Sequence, residues 1–155
     1  MNGTTSENNQ PLFSVDKIYV KDLSLEIPHS PQIFLERDTA NIEVQLNTHA
    51  QSFDKDMYEV VVTATVTSKI AEKVMFLIEV SQAGIFRLSN IPAEDMESVL
   101  AVMCPNILFP YLREVVSDAS VRAGFPPALL NPINFEAIYQ QQKQNMQSVS
   151  AATTH

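Results

Sequence analysis

Apolar and polar side chains alternate along three successive stretches of the chain. Ile42, Val44 and Leu46 are interleaved with Glu43, Gln45 and Asn47; Tyr58, Val60, Val62, Ala64 and Val66 repeat the pattern, as do Val74, Phe76, Ile78 and Val80. A period of two is that of a strand with one buried face, so three strands are predicted. With a turn around Gln51 to Asp56, Val44 falls opposite Val60. A turn near Ser68 to Glu72 sets Ala64 opposite Phe76 and Val62 opposite Ile78. An antiparallel meander in this register keeps every apolar position on one face. An earlier stretch is less regular: Phe13 and Val15 are in one phase, Ile18 and Val20 in the other, and Leu23, Leu25 and Ile27 return to the first. Bulges, or burial on both faces, account for such slips. Pro28 and Pro31 end this strand and open a loop; its neighbour in the sheet is not given by the pattern.

After Gly84 the period changes. Pro92 with Glu94, Asp95 and Glu97 suits a first helical turn, where proline needs no amide and carboxylates complement the positive end of the dipole. Met96, Val99, Leu100 and Met103 follow at helical spacing until Pro105, which is predicted to stop the run. A second helix is predicted from near Asn106 to just before Gly124, with Pro110 tolerated in its first turn. Its apolar residues, Ile107, Leu108, Tyr111, Leu112, Val115, Val116 and Ala119, cover more of the girdle than one sheet requires, which points to a second subunit packed on it. Leu108, Tyr111, Leu112, Val115 and Val116 are the predicted oligomer interface. The proline-rich segment from Phe125 to Ile133 cannot be regular helix, yet its apolar residues resist exposure to water. Asn134 is a candidate cap for a short last helix carrying Phe135, Ile138 and Tyr139. Sheet first and helices second make an α+β domain. Residues 1–11 and 141–155 are polar and predicted to be tails, disordered and mobile respectively, bracketing a single domain over 12–140.

Composition narrows the function. The chain of 155 residues has a formal net charge of -8, from 18 acidic against 10 basic residues. Phosphate backbones and anionic membranes call for clustered Lys and Arg, so nucleic acid and direct membrane insertion are set aside. Met1 to Pro11 has no apolar run of the kind a signal peptide carries, which predicts a cytoplasmic protein. Cys104 is the only cysteine and the three glycines are scattered, so a disulfide framework, a Walker loop and a dinucleotide fingerprint are excluded. His29, His49 and His155 have no ligand-type spacing. Asp54 with Asp56, and Glu94 with Asp95, are read as turn and helix-start residues, and Cys104 as small apolar filling. No catalytic residue, metal or cofactor is predicted.

Longer words in the sequence carry a resemblance. Ile18-Tyr19-Val20-Lys21-Asp22-Leu23-Ser24 followed by Glu26 and Pro28, then Tyr58-Glu59-Val60-Val61, Ala83-Gly84-Ile85-Phe86, the run Cys104-Pro105-Asn106-Ile107-Leu108-Phe109-Pro110-Tyr111 with Arg113-Glu114, Phe125-Pro126, and Pro132-Ile133-Asn134-Phe135 occur in this order. Over about Phe13 to Tyr139 the chain resembles the SecB family of protein-export chaperones. The resemblance implies a four-stranded antiparallel sheet followed by helices packed on one face, assembled as a homotetramer, a dimer of dimers. It also implies an ATP-independent chaperone that holds unfolded preproteins in long grooves and delivers them to the ATPase SecA. By position, Asp22, Glu26, Leu77 and Glu79 match the acidic sheet surface such chaperones present to the basic, zinc-containing tail of SecA. Phe125, Leu129, Leu130, Ile133, Phe135 and Ile138 are the predicted substrate groove. Ala83 stands where the family has the first glycine of a pair, and Ile78 where a cysteine is often found. The stretch after Glu136 has no acidic residue, which puts a tail contribution to SecA binding in doubt.

Two other readings compete. A small α+β acyl-binding or hotdog-like enzyme would use the same apolar cleft, and would need His29 or His49 as its base. A SecB-like chaperone dedicated to an antitoxin would share the fold.

Overall fold

The computed structural model describes residues 9–152. Most of the predicted N-terminal tail, and residues 153–155, lie outside them. Four long strands, β1 (Leu12–Glu26), β2 (Asn41–Asp54), β3 (Met57–Ile70) and β4 (Lys73–Ser89), form one antiparallel sheet in the order β1-β4-β3-β2. β1 returns along the far side of β4, and the two edge strands are therefore β1 and β2. The slips in β1 are bulges: the register against β4 shifts between Val15 and Lys17 and again between Val20 and Asp22.

The predicted register differs from the observed one, and the reason lies in the turns. Val44 pairs with Val66, Ala64 with Val80 and Val62 with Gln82. Each hairpin closes through two residues only, Lys55-Asp56 and Ala71-Glu72, with Asp56 at φ 57° and Ala71 at φ 53°. Polar residues such as Gln51 and Ser52 belong to the strand and not to a loop. Both displacements are even in side-chain count, so the apolar set stays on one face. Val60, Val62, Ala64, Val66, Phe76, Ile78, Val80, Phe86 and Leu88 are buried there.

β4 also runs past Gly84, where a change of period was expected. The helical layer then starts at Ala93, with Pro92 as its N-cap, and continues unbroken through α1 (Ala93–Ser98), a π-helical turn (Val99–Met103) and α2 (Cys104–Arg122). Pro105 does not stop it. The Cys104 amide donates to the carbonyl of Val99, five residues back, and this widened turn gives room for the Pro105 ring. Pro110 lies inside α2 and removes one backbone bond there.

Leu108, Leu112 and Val116, at helical spacing, are fully buried with the sheet's apolar face in the core. A Cβ at Gly84 would stand 2.9 Å from a Leu108 methyl and 2.9 Å from the Phe86 ring, so the strand is bare where the helix comes closest. Cys104 fills the same core, and burial pushes its thiol up to about 12. The Ala93–Arg122 helix is long and apolar enough to cross a membrane, but it is the core helix here.

α2 ends as predicted before Gly124, which takes φ 90°. The Gly124 amide donates to Val121 O and the Phe125 amide to Ser120 O, a Schellman closure. Buried Ser120 donates to Ser117 O and accepts from the Ala128 amide, both at 2.8 Å, and so pins the following segment. Asn134 caps α3 (Phe135–Ala152), its Oδ1 accepting from the Ala137 amide at 3.0 Å. α3 is longer than the short helix expected, and from Gln140 to Val149 it is exposed.

On the sheet face away from the helices, one polar cluster joins three strands. Glu59 on β3 accepts from the Tyr19 hydroxyl and from Lys21 Nζ (2.7 Å) on β1, and from Gln51 Nε2 (3.4 Å) on β2. The bonds from Lys21 and Tyr19 hold the Glu59 carboxyl below its ordinary value, and burial with the Glu59 bond pushes Tyr19 up to about 12.

A non-glycine residue in the left-handed region costs roughly 1–2 kcal/mol, so Ala71→Gly should stabilise the fold by about 1 kcal/mol in denaturant titration. A carboxyl with a depressed folded pKa gives stability that is present above its unfolded value and lost as pH falls through the folded one. Glu59→Gln should therefore lower stability at pH 7 and flatten the loss of stability below about pH 4, measured as urea midpoint against pH.

Candidate functional site

Two surfaces are formed by residues singled out in the sequence. The first is a trough beside the helical layer. Ile42, Val44 and Leu46 share the helix-facing side of β2, yet Val44 remains 42% exposed because β2 is an edge strand beyond the reach of α2. Opposite them runs the pinned segment after Gly124. Val44, Leu46, Phe109, Leu130, Asn131 and Ile133 enclose a cavity of about 180 Å³. A second, of about 50 Å³, continues it between Leu46, Asn47, Thr48, Ala101 and the α3 residues Phe135, Ile138, Tyr139 and Gln142.

The predicted groove residues divide along this trough. Leu130, Ile133, Phe135 and Ile138 line it; Leu130 and Phe135 are anchored in the core, while Ile138 stays exposed. Leu129, 76% exposed, is outside both cavities. Phe125 is elsewhere: as the residue closing α2 it stacks on Phe34 at 5.1 Å and leans on Phe76 at 5.3 Å, at the other end of the helix. Sequence reasoning missed the opposite wall, because Val44 and Leu46 read as ordinary core positions. The signal needed was the strand order, which makes β2 an edge.

The second surface is on the outer face of the sheet. Glu26 pairs with Leu77, Ser24 with Glu79 and Asp22 with Ser81, so all four predicted acidic-face residues lie together across β1 and β4. Thr67 and Glu43 extend the row of Leu77, adding a fourth carboxylate. The helices occupy the other side, so this face is open.

The predicted oligomer interface requires a correction. Leu108, Leu112 and Val116 are fully buried inside the subunit and are unavailable to a partner. They form the stripe that faces the sheet. The remaining two, Tyr111, which is 51% exposed, and half-buried Val115, belong to a second stripe with Met103 and Ile107 on the outward side of the helix. The girdle is apolar all round because it carries two stripes, of which only the outer is uncovered.

Nothing in these surfaces assembles an acid-base pair. His29 lies in a separate loop cavity of about 320 Å³ with Gln32, Glu36 and Lys73, and His49 in another with Glu97 and Leu100. Neither lines the trough.

Comparison with known proteins gives the family. Residues 6–146 match the family model described as preprotein translocase subunit SecB. A protein-export protein SecB from Methylobacillus flagellatus is 55% identical over 150 residues, covering 97% of this chain and 96% of that one. The protein of the same name from Nitrosomonas europaea is 61% identical over 142 residues, covering 90% and 88%. That from Neisseria gonorrhoeae is 59% identical over 140 residues, covering 90% and 95%. Among solved structures, a Mycobacterium tuberculosis SecB-like chaperone in complex with an antitoxin peptide superposes with a TM-score of 0.65 at 15% identity, over 79% of this chain and 91% of that one. Its likeness concerns the fold. With the family model spanning nearly the whole chain and relatives above half identity, the chain belongs to the SecB family of protein-export chaperones.

Proposed function

We propose that this chain is the subunit of an ATP-independent cytoplasmic export chaperone that holds non-native secretory preproteins and hands them to SecA. One observation carries the reading: an apolar trough, open to solvent, between the uncovered face of β2 and the segment from Leu130 to Ile138. Burying one Leu or Phe contributes ~1.5–3 kcal/mol, whereas micromolar binding needs ~8 kcal/mol before ordering costs. Several anchors must be engaged at once. Folded proteins hide such residues and unfolded ones offer many, so a long shallow surface selects non-native chains without reading a sequence.

The acidic outer face is the proposed SecA-docking surface. Exposed ion pairs contribute only ~0.2–1 kcal/mol each, and repetition over several subunits raises the effective concentration of a multivalent partner. The proposed assembly is a homotetramer, a dimer of dimers. The outward stripe of Met103, Ile107, Tyr111 and Val115 supports it, as do the exposed apolar residues Val20, Leu23 and Leu25 on the edge strand β1. Export is preferred to a dedicated antitoxin partner because relatives named for export share more than half of their residues with this chain. The antitoxin-bound neighbour shares 15%.

The two surfaces should be separable. Val44→Ser with Ile133→Ser should weaken capture of a reduced, unfolded preprotein at least tenfold and leave SecA affinity unchanged. Asp22→Ala with Glu26→Ala should do the reverse, raising the Kd for SecA by up to roughly tenfold; titration calorimetry reads both. Equal loss of both activities in either variant would contradict the assignment. Met103→Ser with Tyr111→Ser should reduce the size of the assembly in sedimentation while each subunit stays folded, whereas Leu112→Ala should cost roughly 2–5 kcal/mol of stability.

A further inference from the structure

The acidic face carries a cation in its own backbone. In a regular strand, neighbouring side chains point to opposite faces. Lys21 falls in the bulge between Val20 and Asp22, and its ammonium reaches Glu59 on the outer face, the face that Asp22 also occupies. Left to itself, this lysine would stand beside Asp22 and offset one of the few carboxylates there.

It is held elsewhere. Lys21 Nζ lies 2.7 Å from Glu59 Oε1, and the Glu59 side chain is only 11% exposed against 47% for Lys21. Glu59 is in turn fixed by the Tyr19 hydroxyl and by Gln51 Nε2. Glu59 pairs with Ile85, four residues along β4 from Ser81, the partner of Asp22, and it lies one strand further across. The Lys21 side chain is therefore drawn across the sheet toward that row, with its ammonium turned away from Asp22 and paired. The other cations of the outer face are also placed away from Asp22. Arg87 is held by Asp16 at 3.0 Å, Lys17 is level with Ile85, and Lys69 sits at the opposite corner, paired with Asn41 beside Glu43.

We propose that Glu59 is a positioning residue for the docking face: by pairing the Lys21 ammonium and turning it away from Asp22, it leaves Asp22, Glu26 and Glu79 uncompensated for a basic partner. The inference rests on the reading of that face as a docking surface. A carboxylate outside the contact area thereby sets the charge of the contact area. It works through a lysine that touches neither the partner nor the acids while the tether holds.

Calorimetric titration of the assembled protein with a synthetic zinc-loaded SecA tail peptide tests this, at low salt and again in 0.3 M salt. Glu59→Gln keeps the Tyr19 bond and releases the lysine; it should raise the Kd roughly two- to fivefold at low salt, with the difference shrinking at high salt. Lys21→Met in that background should restore wild-type affinity, and Lys21→Met alone should leave it unchanged. A double variant as weak as Glu59→Gln would assign Glu59 to structure alone. Tighter binding by Lys21→Met alone would mean that Lys21 already offsets the acids. Unchanged affinity in Glu59→Gln would also overturn the proposal. If Glu59→Gln fails to assemble, Glu59→Asp, one methylene shorter, is read against the same outcomes. A wild-type protein that does not bind the peptide would instead overturn the docking reading itself.

Discussion

One helix is too narrow for the sheet it closes. An α-helix with its side chains is ~10 Å across, and strands lie ~4.8 Å apart, so a single helix covers two of four strands. Here it covers the central pair: Leu108, Leu112 and Val116 are buried over β3 and β4, and Gly84 lets them come close. The helix-facing sides of β1 and β2 are as apolar as the centre but keep water contact, and Leu23 is 49% exposed. The proposed binding trough and part of the proposed assembly surface are both consequences of this mismatch. One edge is walled by the segment that Ser120 pins; the other is bare.

Much of the fold was legible because a side-chain period of two survives errors of register. The predicted pairing was displaced in both hairpins, yet by an even count, so the face assignment of Val60, Val62, Ala64 and Val66 stood. Local chemistry was legible too: Gly124 ends α2 and Asn134 caps α3, since each needs only its immediate neighbours. The irregular phase of β1 left bulges and two-sided burial open, and the strand pairing decides for bulges. Two-residue turns with a positive φ on Asp56 and Ala71 were not legible, because neither residue is the glycine that usually marks them.

Other features depend on context that a single sequence lacks. Pro105 ends most helices, and here a π-helical turn accommodates it. The apolar excess on α2 pointed to a partner, but residues on the sheet side and on the outer side could not be told apart before the crossing of helix and sheet was known. The trough suffered most. Val44 and Leu46 have the pattern of core residues, and only the order β1-β4-β3-β2 turns their strand into an edge. The acidic face was found by family resemblance, and the strand pairing unites its members. The tether on Lys21 was invisible in sequence, since Glu59 is distant along the chain and two strands away.

The proposed capture of non-native chains rests on apolar surface left beside the helix. Its most direct test uses the single native cysteine, which is buried with a raised thiol pKa and so slow to react. Val44→Cys and Glu43→Cys place one reactive thiol on adjacent residues that face opposite sides of β2. Adding a reduced, unfolded secretory preprotein to the assembled protein should slow alkylation at position 44 severalfold and leave position 43 unchanged. Equal rates at position 44 with and without the preprotein would exclude the trough as the binding surface.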